Sequence, residues 1–209
     1  MTLFSWLAQL FGRLQRPRSS GVDTQSVIVY ETQSVPETLA RIAELEVEKG
    51  ITEEGGNNRG ARIVEYQSTT WLAPGPWPWC AAFVCWCVYE TLRTLALNPK
   101  TWKRPRTAGA YDFENWAQGL HPHGSNSGWS LMSAKTTPRR GDIVTFTWSH
   151  IGIVLDYDPK RQMLTTAEGN TFPKATTSDR SNVRLPDGVH AQQRKRSLVR
   201  RLIRYADND

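Results

Sequence analysis

A stop and a start, set side by side, constrain this chain more than any other feature. Pro76-Trp77-Pro78-Trp79 runs directly into Cys80-Ala81-Ala82-Phe83-Val84-Cys85-Trp86-Cys87-Val88. Prolines cannot carry a helix upstream, while alanines and large apolar residues support one downstream, so a helix begins at Cys80. It extends to Ala96 or Leu97, where Asn98-Pro99 stops it. Cys80 therefore sits where unpaired backbone N–H groups and the positive end of the helix dipole favour an anion, the setting of a nucleophilic thiol.

The rest of the chain supplies partners for such a thiol. Gly141-Asp142-Ile143-Val144-Thr145-Phe146-Thr147-Trp148-Ser149-His150-Ile151-Gly152-Ile153-Val154 reads as two strands, the second opening at His150. Leu164-Thr165-Thr166-Ala167 then leads to Glu168-Gly169-Asn170. Thiol, imidazole, carboxylate and amide follow in that order, the equipment of a cysteine peptidase or amidase. Each residue alone has a plainer reading. A buried cysteine is usually inert core, a histidine heading a strand is often a hydrogen-bond partner, and Glu-Gly-Asn is a plausible turn. The plainer readings fail jointly, because the order and context of all four would have to arise by accident.

Pro78-Trp79-Cys80-Ala81-Ala82-Phe83-Val84-Cys85-Trp86, Gly141-Asp142-Ile143-Val144, His150-Ile151-Gly152-Ile153-Val154 and Glu168-Gly169-Asn170 together resemble the CHAP family, cysteine- and histidine-dependent amidohydrolases/peptidases of bacterial peptidoglycan. Gly56-Asn57-Asn58-Arg59-Gly60 and Tyr66 resemble the lead-in of many members, and the likeness spans roughly Pro36 to Tyr205. It implies an α+β, papain-like fold, with N-terminal helices, one bearing the nucleophile, packed on an antiparallel sheet. It also implies that Cys80 is the nucleophile and His150 the general acid and base. Glu168 would orient the imidazole, and Asn170 would share or assist that role. The backbone N–H of Cys80 is the natural first oxyanion donor; the second is open between Asn57 and Asn58. Trp79 and Trp148 flank the site in sequence, and at least one is expected to line a groove for sugar rings and peptide stems. Some CHAP enzymes bind calcium through acids near the cysteine, but no Asp or Glu lies between Tyr66 and Tyr89. His121-Pro122-His123 falls in a polar loop, so neither metal nor cofactor is expected.

Three cysteines, all between positions 80 and 87, form no disulfide framework and match no zinc spacing; Cys85 and Cys87 read as core. Twenty-six Lys and Arg against twenty Asp and Glu leave a net charge of +6. Such a surface suits nucleic acid, membrane headgroups or anionic envelope polymers without choosing among them. No apolar run approaches the ~20 residues that span a bilayer, and the N-terminus lacks the pattern of a secretory signal.

Residues 1–33 divide from 34–209, the latter being the CHAP-like catalytic domain. Leu3, Leu7, Leu10 and Leu14 with Phe4 and Phe11 form an amphipathic helical stripe followed by Arg13, Arg16 and Arg18. That segment, residues 1–20, and the basic tail Arg194 to Arg204 are the candidates for contact with a membrane surface or an anionic polymer. Beyond them, helices are predicted over Pro36–Lys49 and Ala110–Gln118. Strands are predicted near Asp142–Thr147, His150–Leu155 and Met163–Ala167, with a turn at Asp156–Lys160; Leu198–Tyr205 is ambiguous by period, and the CHAP resemblance implies that it is the last strand. The expected function is cleavage of a peptidoglycan amide bond by a monomer without a specific nucleic-acid partner, as an N-acetylmuramoyl-L-alanine amidase or a stem or bridge endopeptidase. Made in the cytoplasm, it would reach the wall through a phage lysis system (as an endolysin or virion part) or as a secreted antibacterial toxin. A thiol hydrolase of another amide or isopeptide, and a silent basic wall- or membrane-binding module, are the alternatives.

Overall fold

The first described residue is Ser34. Its hydroxyl accepts from the amide of Glu37 and caps α1 (Val35–Glu48), with Pro36 setting the first turn. The computed structural model describes residues 34–101, 103–123, 126, 128–172 and 187–206. The amphipathic stretch and the linker before Ser34 lie outside the described residues.

Three further helices follow: α2 (Ala61–Gln67), α3 (Cys80–Thr94) and α4 (Asp112–Ala117). Six strands come after them: β1 (Trp129–Met132), β2 (Ile143–Phe146), β3 (Ile151–Asp158), β4 (Met163–Thr171), β5 (Gly188–Lys195) and β6 (Val199–Tyr205). Every pairing is antiparallel, in the order β1-β6-β2-β3-β4-β5. The fold is thus α+β, helices first and sheet after. Ile143, Ile153, Ala167 and Ile203 turn one face of the sheet toward α1 and α3, where Leu39, Ala43, Phe83 and Val84 meet them in the main core. Val144, Phe146, Val154, Leu164 and Leu202 fill a smaller cluster of their own. β2 is buried at all four positions because both sets draw on it.

The sequence reading needs correction in places. α2, β1 and β5 were not anticipated. β3 runs on to Asp158, so the predicted turn at Asp156 begins three residues late. The supposed basic tail is the end of β5 and nearly all of β6, strands that are not neighbours in the sheet, and four of its five arginines are already occupied, Arg201 being exposed. Arg194 bonds Glu168, Arg200 bonds Glu114, Arg204 bonds Asp142, and Arg196 bonds the carbonyls of Ala134 and Thr136. Paired arginines at buried carboxylates hold the sheet together; they are not a free arm.

Candidate active site

α3 starts at Cys80 for the reason the sequence offers, and the model adds a detail. Trp79, the N-cap residue, makes no side-chain capping bond, so the first-turn amides of α3 keep no side-chain acceptor. Cys80 is buried but not sealed, at 8% exposure. Cys85 and Cys87 are fully enclosed; burial pushes the Cys85 thiol up to about 12 and drives Cys87 well above its ordinary value. Both are inert core, as the sequence implies.

His150 stands at the mouth of β3, after the tight turn Thr147-Trp148-Ser149, whose closure is marked by the His150 amide donating to the Trp148 carbonyl. Its Nε2 lies 2.9 Å from Glu168 Oε2. Cys80 is near enough to favour the protonated ring, and with Nε2 on Glu168 the nitrogen left for the thiol is Nδ1. His150, Gly152 and Val154 alternate on one face of β3, as Thr166 and Glu168 do on β4. A Cβ at Gly152 would come within 2.8 Å of Glu168 Cγ, so glycine there is what lets the carboxylate cross to the imidazole. Gly169 plays the same part toward α3: a Cβ would meet Phe83 Cβ at 2.6 Å and Trp79 Cζ3 at 2.8 Å. The small residue between glutamate and asparagine therefore lets β4 press directly against the start of the cysteine helix.

Glu168 is fully buried, and its carboxylate is fully engaged. Besides His150 it accepts from Thr166 Oγ1 at 2.6 Å, from Arg194 Nε at 2.8 Å, and from Arg194 Nη2. Burial opposes its ionisation, yet the bonds from Arg194, His150 and Thr166 outweigh it and hold the carboxyl below the usual range. For His150 burial likewise opposes the charge. The hydrogen bonds to Cys80 and Glu168 overcome it and raise the imidazole to about 9. At neutral pH the ring holds its proton between an anchored carboxylate and the Cys80 sulfur.

Asn170 stands apart from this line. It does not bond His150. Its Oδ1 accepts from the backbone N–H of Trp79 at 3.1 Å, and its Nδ2 donates to Glu53, Asn58 and Asp187. At φ 54° it holds a left-handed conformation that asparagine tolerates better than most residues. It thus fixes the Pro78–Trp79 peptide one residue ahead of Cys80, and Asn58 belongs to that bracing cluster. Trp79 is not a groove wall either. It is fully buried, stacked on Tyr66 at 5.5 Å, with its indole N–H donating to Glu53. A large side chain following proline-rich backbone was needed to seat α3, and the core took it. Trp148 is 39% exposed and lies parallel to both Phe146 and His150, with centroids 4.8 and 6.2 Å away.

Two residues of the site escaped the sequence reading. Thr166 was findable, since a strand period of two puts it on the face of Glu168. Arg194 was not: it reaches the carboxylate only through the β4–β5 pairing, with its guanidinium also 5.3 Å from the Trp148 ring. His121 and His123 bond each other, His123 stacks on Trp71, and no group of acidic, histidine or cysteine side chains among the described residues is arranged to hold a metal.

The family described as CHAP domain matches residues 72–170, from the loop before Cys80 through Asn170. That span is narrower than the likeness read from sequence and stops short of Arg194. No curated protein and no solved structure matches the chain.

Proposed function

Residues 72–170 belong to the CHAP-domain family, and on that premise we propose that this protein hydrolyses an amide bond of peptidoglycan by cysteine catalysis. The observation carrying the reading is the continuous line Cys80–His150–Glu168 at the start of α3, with the imidazole raised to about 9 and its far nitrogen fixed on a buried carboxylate. The helix-on-antiparallel-sheet arrangement is in keeping with a papain-like fold.

Cys80 Sγ, its proton held by His150, attacks the amide carbon and forms a C–S bond. The developing oxyanion faces the N–H of Cys80 in the uncapped first turn of α3. His150 Nδ1 passes its proton to the leaving nitrogen, the C–N bond breaks, and a thioester remains. Water then gives a proton back to His150 as its oxygen adds to the thioester carbon, and the C–S bond breaks to free the acid product. Throughout, Glu168 and Arg194 keep the ring oriented, and Asn170 keeps the Pro78–Trp79 peptide in place. Trp148, the exposed aromatic beside His150, would receive the sugar or stem. Wall chemistry places the action outside the cytoplasm; among the described residues no helix is long and apolar enough to cross a membrane.

The test is digestion of purified peptidoglycan by wild type and Cys80→Ala, with products identified by mass spectrometry. Fragments released by wild type alone are expected, and their masses name the bond as amidase or endopeptidase. Equal and intact walls from two folded proteins would overturn the proposal.

A further inference from the structure

Lys100, Lys103, Arg104 and Arg106 place four cations within seven residues of the loop after α3, with no acid among them. None pairs with a carboxylate among the described residues, whereas Arg62, Arg140, Arg194, Arg200 and Arg204 all do. The four share a cavity of about 780 Å³ with Trp86 and Tyr89 of α3. Its single acidic lining residue, Glu65, is paired with Arg62. No residue of the Cys80 site lines this cavity. Tyr89 lies nine residues along α3 from Cys80, roughly 13 Å at 1.5 Å per residue.

Arg104 distinguishes the cavity from an ordinary solvated basic face. Its Nη1 donates to the carbonyls of Thr69 at 2.9 Å and Pro105 at 3.2 Å, and the guanidinium lies 5.1 Å from the Tyr89 ring. The fork is thereby fixed in direction. Its Nε is buried with no hydrogen-bond partner, and Nη2 has none among the described residues. A half-buried guanidinium with unmet donors, in a cavity whose other cations are free, is prepared for a planar or tetrahedral oxyanion. Burial lowers the Arg104 guanidinium from its ordinary value, a cost that a bound anion would relieve.

The geometry points to a second binding site here, for phosphodiester groups of an anionic wall polymer, formed by Arg104 with Lys100, Lys103 and Arg106. The open volume fits several repeats of a flexible chain, and clustered flexible lysines around one oriented arginine suit successive phosphates. The choice of a wall polymer over a nucleic acid rests on the proposed peptidoglycan hydrolysis: a site away from the nucleophile would hold the enzyme on its insoluble substrate. It would also take over the anchoring expected of the Arg194 to Arg204 stretch, where Arg194, Arg196, Arg200 and Arg204 are already held by carboxylates or carbonyls.

The test uses the full chain with Cys80→Ala, so that binding is read without turnover. Poly(glycerol phosphate) is titrated by calorimetry at several salt concentrations, with single-stranded oligonucleotide of equal charge as the second probe. Saturable binding to the glycerol polymer that weakens with salt is expected. Lys100→Gln/Lys103→Gln should weaken it by about tenfold and flatten the salt dependence, because two contacts are removed. Both lysines are exposed and unpaired, so the melting temperature should hold; Arg104→Lys, which keeps the charge but loses the fork, should bind more weakly than wild type. In the Cys80-intact background, Lys100→Gln/Lys103→Gln should slow digestion of polymer-bearing walls and leave soluble wall fragments cut at the normal rate. The proposal is overturned by no binding to the polymer, by binding that the lysine pair does not alter, or by equal or tighter binding to the oligonucleotide. Loss of soluble-fragment cleavage in wild type would instead sink the hydrolase reading and leave the polymer result standing alone.

Discussion

Two buried glutamates share one plan, an arginine fork and one ring donor apiece, and differ chiefly in that ring; Lys49 also donates to Glu46 and Thr166 to Glu168. Glu46 accepts from Arg62 Nε at 3.0 Å and Nη2 at 2.7 Å; Glu168 accepts from Arg194 through the same two atoms. Each arginine lies against a tryptophan, Arg62 at 4.2 Å from Trp86 and Arg194 at 5.3 Å from Trp148. Both carboxyls are held below their ordinary range against the cost of burial. The third partner divides them. At Glu46 it is the Tyr66 phenol, 2.5 Å away, which burial and Glu46 itself keep from ionising. At Glu168 it is the His150 imidazole, raised to about 9 and therefore able to take up and give back a proton, which faces Cys80. Trp86 is nearly buried, with its edge on the cavity beside Tyr89, while Trp148 is far more exposed. The same ion pair thus locks α1 to α2 in one place and orients a proton carrier in the other. Burial and pairing alone do not mark a catalytic carboxylate; what it holds does.

Breaking the third partner should separate the two sites most sharply. His150→Ala is expected to lower kcat/KM on a soluble wall fragment by about a thousandfold or more. Tyr66→Phe should leave kcat/KM unchanged and cost about 1–3 kcal/mol of stability, read by denaturant titration, because Glu46 loses a buried donor. Replacing the arginines comes next. Arg194→Met and Arg62→Met each leave a buried carboxylate short of two donors, so each should destabilise the fold by about 3 kcal/mol. Only Arg194→Met should also cut kcat and move the acid limb of the pH–rate profile upward, as the Glu168 carboxyl regains protons more easily.

The pH dependence sharpens the contrast without mutation. The folded His150 value, about 9, exceeds the ordinary 6.5. Its contribution to stability is therefore complete below about pH 6.5 and lost as pH rises through about 9. Turnover needs the same proton for the leaving nitrogen, so kcat should fall over that upper range. Glu168 and Glu46 act in the opposite sense: their contributions are present above the ordinary carboxyl value of 4.5 and disappear as pH falls through their lowered values. Acid should thus weaken both sites together, while alkali should affect only the Glu168 side. Trp148→Ala should give the smallest effect, a rise in KM of several-fold with kcat nearly constant, since a half-exposed ring gives up little packing on truncation.

The places of Cys80 and His150 in the fold were legible because local rules govern them. A proline-rich stop fixes where α3 starts, and a tight turn fixes where His150 begins a strand. The glycines at 152 and 169 were visible as letters, but their purpose, letting Glu168 reach His150 and β4 reach α3, needs three dimensions. Asn170 lies on the motif the sequence offered, yet it braces the Trp79 peptide, since its left-handed backbone turns the amide toward the loop before Cys80. Arg194 was read as part of a basic tail because charge in sequence does not say which acid it will meet. α2 was hidden for a different reason: seven residues give too few turns for periodicity to show, and its place is set by Arg62 meeting Glu46.

The most direct test of this account measures kcat/KM and the unfolding midpoint on the same preparations of Glu168→Gln and Glu46→Gln. The account predicts that Glu168→Gln loses about a hundredfold or more in kcat/KM, while Glu46→Gln keeps wild-type kcat/KM and loses stability. Activities that fall in parallel with stability in both variants would contradict it, since Glu168 would then be a structural carboxylate like Glu46.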